Sequence, residues 1–148
     1  MMITVQDLMS EQLFTLSPTD TVHEARETML KNRIRHIPIV DDEGEFVGLV
    51  TKHDILDVSV SALAEIDNDT RDELESAIPL GEIMLTDITI AYAESSLLEA
   101  AKFMLEQKHG CLPVLQDGQL IGILTEADFV KLALHLMQRL DEIESGKV

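Results

Sequence analysis

Two eight-residue stretches decide the fold, because they repeat one pattern within one chain. The first is Val47-Gly48-Leu49-Val50-Thr51-Lys52-His53-Asp54, and the second is Ile121-Gly122-Ile123-Leu124-Thr125-Glu126-Ala127-Asp128. Each is an apolar segment that leads into Thr-x-x-Asp, a pattern typical of a helix N-cap and first turn. Each stretch therefore predicts a buried strand that passes directly into a helix.

The similarity extends outward from these stretches along nearly the whole chain. A shift of 75 residues aligns the 148-residue sequence with itself, and the shift becomes 74 after the extra residue Glu43. The aligned identities include Met9 with Met84 and Pro38 with Pro113. A fixed period of this kind indicates a duplicated structural unit. We predict two repeats, at 7–66 and 83–141, and a linker with one short helix at 67–82.

Both repeats predict the same order of elements. A helical turn (Val5–Met9 or Leu80–Met84) and a short extended segment (13–16 or 88–91) come first. A helix with a capping box follows, then an apolar hairpin with Asp and Gly in its loop, then a second helix that begins after Thr51 or Thr125. The first helices are predicted to bury Val22, Ala25, Met29 and Leu30 in one repeat and Leu97, Ala100, Met104 and Leu105 in the other. After Asp54 the first repeat continues through an apolar run at 62–66, Thr70–Glu73 caps the linker helix, and the last helix spans about Glu126–Glu144.

Composition excludes several classes of protein. Acidic residues outnumber basic ones by 28 to 11, for a net charge of −17, whereas nucleic-acid binding needs a basic face. No apolar run approaches the ~20 residues of a membrane helix, and no signal peptide is recognisable. The lone Cys111 cannot form an internal disulfide, and no Cys/His spacing suits zinc. We therefore expect a cytoplasmic protein that binds neither nucleic acid nor membrane and holds no metal.

The repeated Thr-x-x-Asp pattern has two interpretations. It can be a helix cap alone, in which Thr accepts a hydrogen bond from a backbone N–H. It can also bind a ligand, because a carboxylate in the first turn accepts hydrogen bonds from the vicinal hydroxyls of a ribose. The adjacent helix N-terminus favours a phosphate. Gly48 and Gly122 would let a ligand or a neighbouring strand approach closely. Occurrence of the pattern twice, directly after a buried strand, favours ligand binding.

Taken together, these motifs resemble a tandem pair of CBS domains, the module named after cystathionine β-synthase. The resemblance covers nearly the whole chain. It rests on the Asp7-Leu8-Met9 and Glu82-Ile83-Met84 openings, the Glu-Ala helix, the strand with Pro38 or Pro113, and Gly-x-x-Thr-x-x-Asp. It implies an α/β (α+β) fold of two β-α-β-β-α repeats, packed with pseudo-twofold symmetry around two clefts.

The resemblance also implies a set of ligand-binding residues. Thr51 with Asp54 would hold the ribose in one cleft, and Thr125 with Asp128 in the other. The extended segments near Thr15 and Ile90 would offer backbone groups to adenine from the opposite repeat. Residues just before the strand proline, which are Arg35, His36 and Ile37 in the first repeat and Leu112 in the second, would line base and phosphate.

Basic residues distinguish the two clefts. Lys52 and His53 join Lys31, Arg33, Arg35 and His36 in the first repeat, whereas Glu126 and Ala127 replace Lys52 and His53 in the second. Arg binds phosphate through two parallel hydrogen bonds, so the first cleft is predicted to take the phosphates. Glu126 would repel a triphosphate, which leaves a monophosphate, a nucleoside, S-adenosylmethionine or nothing for the second. The alternative is a solvated basic edge that pairs with nearby acids.

These features predict a regulatory module and not an enzyme. The sequence has no phosphate-binding Walker loop, no Ser-His-Asp order and no paired catalytic carboxylates, so no catalytic cofactor is expected. The predicted ligand is AMP, ADP or ATP, bound as a regulatory ligand by a homodimer that signals to a protein partner the sequence does not name. The alternatives are a dimerising or docking protein without a ligand and a sensor of S-adenosylmethionine.

Overall fold

The computed structural model describes residues 2–62 and 67–146, apart from the side chains of 59–62. Within these residues the helices are α1 (Val5–Leu8), α2 (Val22–Asn32), α3 (Lys52–Ala62), α4 (Asn68–Glu75), α5 (Leu97–Gln107) and α6 (Glu126–Glu144), with a 3-10 turn at Leu80–Glu82. The strands are β1 (His36–Val40), β2 (Phe46–Thr51), β3 (Ala91–Tyr92), β4 (Cys111–Gln116) and β5 (Gln119–Thr125). The predicted apolar run at 62–66 and the predicted end of the first repeat lie largely outside the described residues.

The chain forms two compact units, and one of them is Leu13–Ile88. Its β1 and β2 form an antiparallel hairpin, and Leu16 adds a parallel bridge to Ile39. The apolar strand positions are buried in succession because α2 and α3 cover the hairpin. The core of this unit consists of Val22, Ala25, Met29, Ile37, Ile39, Val50, Ile55 and Leu80.

The other unit joins Met1–Gln12 to Thr89–Val148. Here β3 pairs in parallel with β4, and β4 pairs antiparallel with β5. The hairpin loop has positive φ at both Asp117 and Gly118, as a two-residue type I′ turn requires. The first hairpin has one more residue, and Asp41 Oδ1 accepts hydrogen bonds from the backbone N–H of Glu43 and Glu45 instead. The insertion of Glu43 is therefore absorbed within the loop.

The opening segment of each repeat pairs with a strand whose sequence belongs to the other repeat. Ser10 exchanges two backbone hydrogen bonds with Ile123 in β5, and Leu85 does the same with Leu49 in β2. The glycines of the repeated stretch make room for these segments. A Cβ at Gly48 would lie 2.5 Å from Met84 Sδ and 3.1 Å from the Leu85 carbonyl oxygen. At Gly122 a Cβ would lie 2.5 Å from Met9 Sδ. A neighbouring chain segment, one of the two partners predicted for these glycines, therefore occupies the space beside each of them.

Several local predictions are confirmed, and two predictions of burial are wrong. Thr21 and Ser96 cap α2 and α5 through the N–H groups of Glu24 and Glu99, and α6 has the predicted bounds. Leu30 and Leu105, however, were predicted to be buried and are 68% and 81% exposed. Helical residues advance by about 100° each, so a residue eight positions along lies roughly 100° from the centre of the stripe formed by positions 0, 3 and 7. These leucines therefore lie beside the buried face.

The linker helix begins earlier than predicted. Asp67 caps α4 by accepting a hydrogen bond of 2.8 Å from the Thr70 backbone N–H, and this bond lowers the pKa of the Asp67 carboxyl. The cap was predicted at Thr70. Asp and Thr both suit an N-cap, and here the acid three residues earlier provides the acceptor. The helix still ends before Pro79, as predicted.

The closing helix α6 is unusual in its exposure. Every described residue from 133 to 146 is exposed, including Leu136, Leu140 and Ile143 at 53, 61 and 57%.

Over the described ranges, no helix combines the length and apolar character that crossing a bilayer requires.

Candidate functional site

The first motif, Thr51–Asp54, joins the end of β2 to the start of α3. Asp54 Oδ2 accepts hydrogen bonds of 2.8 Å from both the backbone N–H and the hydroxyl of Thr51. The Asp54 N–H donates back to Thr51 Oγ1 at 3.2 Å, which completes a capping box. Within the described residues, the other carboxylate oxygen, Asp54 Oδ1, has no hydrogen-bond partner. One oxygen of Asp54 therefore caps the helix, and the other can accept hydrogen bonds from a ligand.

The second motif, Thr125–Asp128, has the same cap and a different environment. Asp128 Oδ2 accepts from the Thr125 N–H at 2.8 Å and from its hydroxyl at 3.3 Å. Asp128 Oδ1 accepts a third hydrogen bond, of 2.8 Å, from the hydroxyl of Ser10. Asp128 is 4% exposed, whereas Asp54 is half-buried. Both oxygens of the second carboxylate are therefore engaged within the protein.

Basic residues gather beside α2 and α3. A pocket of about 300 Å³ is formed by basic and apolar residues. Its lining residues are Arg26, Met29, Leu30, Arg33, Ile34, Arg35, Lys52, Ile55 and Leu56. The structure thus brings together Arg35 and Lys52, two of the predicted phosphate ligands. The Lys52 N–H also donates to the Arg35 carbonyl at 2.8 Å, so the backbone of Arg35, just before β1, lies beside the start of α3. Neither Thr51 nor Asp54 lines this pocket.

The remaining predicted residues lie in varied places. His53 is exposed and lies 3.4 Å from Asp57, which matches the alternative of a solvated basic edge for this residue. Ile37 and Leu112 are fully buried in their cores, so they can offer a ligand only backbone groups. Thr15 is exposed, and His36 and Ile90 are half-buried.

Sequence reasoning missed Arg26, which lines the pocket and forms a buried ion pair. Arg26 Nε lies 2.8 Å from Glu75 Oε1, and its Nη2 lies 2.9 Å from Oε2. Glu75 is 1% exposed, and it is the last residue of α4. The pair links residues 49 positions apart, so no local spacing could have revealed it.

A cluster around Glu75 has donor atoms of the kind that metals bind. The ligand atoms of His23, Asp72 and Glu75 lie within 4.8 Å of one another. Both carboxylate oxygens of Glu75 already accept from the Arg26 guanidinium, however, and that positive charge would repel a cation. The arrangement fits an ion-pair network between α2 and α4 better than a metal site.

The single cysteine is poorly suited to nucleophilic chemistry. Cys111 begins β4, is 5% exposed, and burial raises its pKa to about 12. Because the thiolate is the nucleophile, a thiol with this pKa is unreactive near neutral pH. Cys111 therefore serves as a small core residue.

These observations define the class of protein. Two β/α repeats each place a Thr-x-x-Asp cap at the end of a buried strand, and each repeat's opening segment bonds to the other repeat's strand. This is the architecture expected of a tandem pair of CBS domains. The CBS domain family model matches residues 5–61 and 80–135. The chain therefore belongs to the CBS domain family.

Solved structures of similar chains support this assignment. A protein assigned to acetoin utilization, AcuB from Vibrio cholerae, has 36% identity and a TM-score of 0.81, covering 96% of this chain and 98% of its own. CBSX2 of Arabidopsis thaliana in complex with AMP has 30% identity and a TM-score of 0.74, covering 90 and 98%. The CBS domain pair of protein MJ0100, with 5′-methylthioadenosine and S-adenosyl-L-methionine, has 27% identity and a TM-score of 0.71, covering 88 and 95%.

This chain spans only part of the length of a curated relative. The chain spans 61% of the length of a curated relative, the chloroplastic protein CBSX1 of Arabidopsis thaliana, to which it is 32% identical over 85% of its own length.

Proposed function

We propose that this chain is a regulatory module that binds an adenine nucleotide, AMP, ADP or ATP, at the first motif. The observation that carries the proposal is the free oxygen of Asp54. One oxygen is used by the helix cap, and the other, on a half-buried carboxylate, accepts no hydrogen bond from any residue that the structure describes. A ribose presents two adjacent hydroxyl donors, and hydrogen bonds to a charged acceptor are among the strongest in proteins.

The charges near the first motif favour a phosphorylated ligand. Lys52 follows Thr51 directly, and its N–H bonds to the Arg35 carbonyl. Both side chains belong to the basic group around the α2–α3 pocket, in a chain whose net charge is −17. Lys and Arg held at one place in an acidic protein provide a local attraction for phosphate. The second motif carries Glu126 where the first carries Lys52, so it offers no such attraction.

Bound adenosine compounds in similar proteins support the proposal. CBSX2 is described with AMP, and the MJ0100 pair with S-adenosyl-L-methionine. Binding would act through a population shift, in which the nucleotide stabilises one of two arrangements of the module and a protein partner distinguishes them. The partner and the predicted cytoplasmic location stay predictions.

Titration calorimetry tests the proposal directly. We expect AMP, ADP or ATP to release or absorb heat with saturable binding, and we expect S-adenosylmethionine to bind more weakly, because its sulfonium is repelled by Arg35 and Lys52. Nucleotide extracted from the freshly purified protein and identified by mass provides an independent measurement. Absence of binding to all four compounds up to millimolar concentration would contradict the proposal and favour a docking protein. Preference for S-adenosylmethionine would favour the sensor alternative.

We also propose that the chain forms a homodimer through α6. Leu136, Leu140 and Ile143 lie on one side of a helix whose described residues are all exposed from position 133 onward. Short helices are marginally stable in water without tertiary packing. Pairing with the same helix of a second copy would bury these side chains and stabilise the last turns.

A double substitution tests the dimer. Leu136→Glu with Leu140→Glu places two charges on the apolar side of α6, and we expect the mass measured by light scattering to fall from dimer to monomer. Gln138→Glu adds a charge to the same helix roughly 160–200° away from this side, so it is expected to leave the dimer intact. A wild-type protein that is monomeric at micromolar concentration would disprove the interface.

A further inference from the structure

The two Thr-x-x-Asp motifs differ at one oxygen atom. Both aspartates use Oδ2 for the helix cap, with the same hydrogen bonds to Thr51 or Thr125. Asp128 Oδ1 accepts the Ser10 hydroxyl at 2.8 Å, whereas Asp54 Oδ1 has no partner within the described residues. The two motifs therefore differ at Oδ1, the carboxylate oxygen that takes no part in the helix cap.

Ser10 and Leu85 occupy equivalent positions. Each exchanges two backbone hydrogen bonds with the strand residue two positions before the threonine, Ser10 with Ile123 and Leu85 with Leu49. The four bonds measure between 2.8 and 3.0 Å. The two residues are also 75 apart in sequence, the period of the repeat. The equivalent position thus holds a hydroxyl donor, which bonds to Asp128, in one unit and an aliphatic side chain in the other.

A hydroxyl at this position competes directly with a ribose. A carboxylate has about four acceptor sites, and the cap with Thr125 uses two of them on Oδ2. Ser10 uses one of the two sites on Oδ1, and Asp128 is 4% exposed. To bind Asp128, a ribose diol would have to displace the Ser10 hydroxyl, and the residues that bury the carboxylate would have to move aside. At the first motif Asp54 Oδ1 is available without any displacement.

We infer that Ser10 is an internal mimic of the ribose hydroxyl, which closes the second motif and leaves one nucleotide site for each chain, at Asp54. This inference rests on the proposed function, because it assumes that the aspartates bind ribose. Residue Ser10 then decides the stoichiometry of the module, and Leu85 decides which motif is open. The segment that carries Ser10 would have to move before a second adenosine compound could bind.

Two reciprocal substitutions test the inference, with AMP and adenosine as probes. Adenosine is included because Glu126 repels phosphate at the second motif and has no such effect on an uncharged nucleoside. Wild-type protein is expected to bind one AMP for each chain. Ser10→Ala is expected to raise the adenosine stoichiometry from one to two. Ser10→Thr keeps a hydroxyl and is the matched control, expected to stay at one.

The opposite change should weaken the open motif. Leu85→Ser brings a hydroxyl to Asp54 Oδ1 and is expected to weaken AMP binding about tenfold, the effect of one competing hydrogen bond. Leu85 is 45% exposed, so the substitution removes little core packing. Leu85→Val shortens the side chain without a hydroxyl and is expected to bind AMP like the wild type.

The outcomes distinguish this inference from the proposed function. Two AMP molecules bound to the wild-type chain would overturn the role of Ser10. The role of Ser10 would also be overturned if wild-type protein binds AMP normally, Ser10→Ala leaves the adenosine stoichiometry at one and Leu85→Ser leaves the AMP affinity unchanged. The proposed function would survive that result. Loss of all binding by wild-type protein and variants alike would overturn both.

Discussion

Replacing Asp54 by Asn is expected to weaken AMP binding by about 100-fold and to leave the protein folded. The amide oxygen of Asn can still accept the Thr51 N–H, so the start of α3 keeps its cap. The amide NH2 group would replace Oδ1 and cannot accept a hydrogen bond from a ribose hydroxyl. Two hydrogen bonds to a charged acceptor are lost, which at about 1.5 kcal/mol each corresponds to roughly 100-fold in affinity. Calorimetry with AMP and thermal unfolding of the same samples measure both effects.

Asp128→Asn is the matched control for this substitution. It changes the same residue type at the same position of the repeat, and with the second motif closed it should leave AMP affinity at the first motif unchanged. It should also destabilise the protein more than Asp54→Asn, because the amide that replaces Asp128 Oδ1 can only donate a neutral hydrogen bond to Ser10 Oγ, which is weaker than the bond from Ser10 to the charged carboxylate. If Asp54→Asn lowers stability and leaves AMP affinity intact, the motif is a helix cap only.

Replacing Arg26 by Met is expected to lower the free energy of unfolding by about 3 to 5 kcal/mol, the usual cost of removing one partner of a buried ion pair. Glu75 is 1% exposed, and its two oxygens accept from the Arg26 guanidinium at 2.8 to 3.1 Å. Met fills much of the same volume but leaves the buried carboxylate without its counter-charge. Urea unfolding at neutral pH, followed by circular dichroism, measures the loss.

Two further variants separate charge from packing. Arg71→Met removes an arginine whose Nε lies 4.0 Å from the Asp72 carboxylate, which is 43% exposed, so it should cost at most about 1 kcal/mol. The double variant Arg26→Met with Glu75→Leu replaces the pair by apolar side chains and should recover most of the lost stability. A loss in Arg26→Met no larger than in Arg71→Met would show that the Arg26–Glu75 pair is not a main stabilising contact.

Local patterns determined much of the secondary structure. The capping residues Thr21 and Ser96 predicted the starts of α2 and α5, and the apolar runs around Pro38 and Pro113 predicted both hairpins. These features depend on hydrogen bonds between residues a few positions apart, which sequence spacing expresses directly. The burial of Leu30 and Leu105 was predicted wrongly. A spacing pattern gives the direction of a side chain on its helix, but it does not give the width of the surface that covers the helix.

The ordered motifs of the two repeats, with Thr-x-x-Asp duplicated among them, were sufficient to predict the CBS family and the two candidate motifs from the sequence. Charge placement alone also ranked the first motif above the second as the phosphate site. The ranking stays a prediction, and the free oxygen of Asp54 now gives it a second, independent basis.

What the sequence alone determined is therefore the repeat, its elements and the residues of each cap. Only the tertiary structure decided that Ser10 lies against β5 and Leu85 against β2, and that Glu75 finds its counter-charge in Arg26. Ser10 and Asp128 are 118 positions apart, and no periodicity in the chain records such a pairing. The physical reason is that contacts between distant residues are set by which buried surfaces fit together in space, whereas local patterns record only what neighbouring residues do to the backbone.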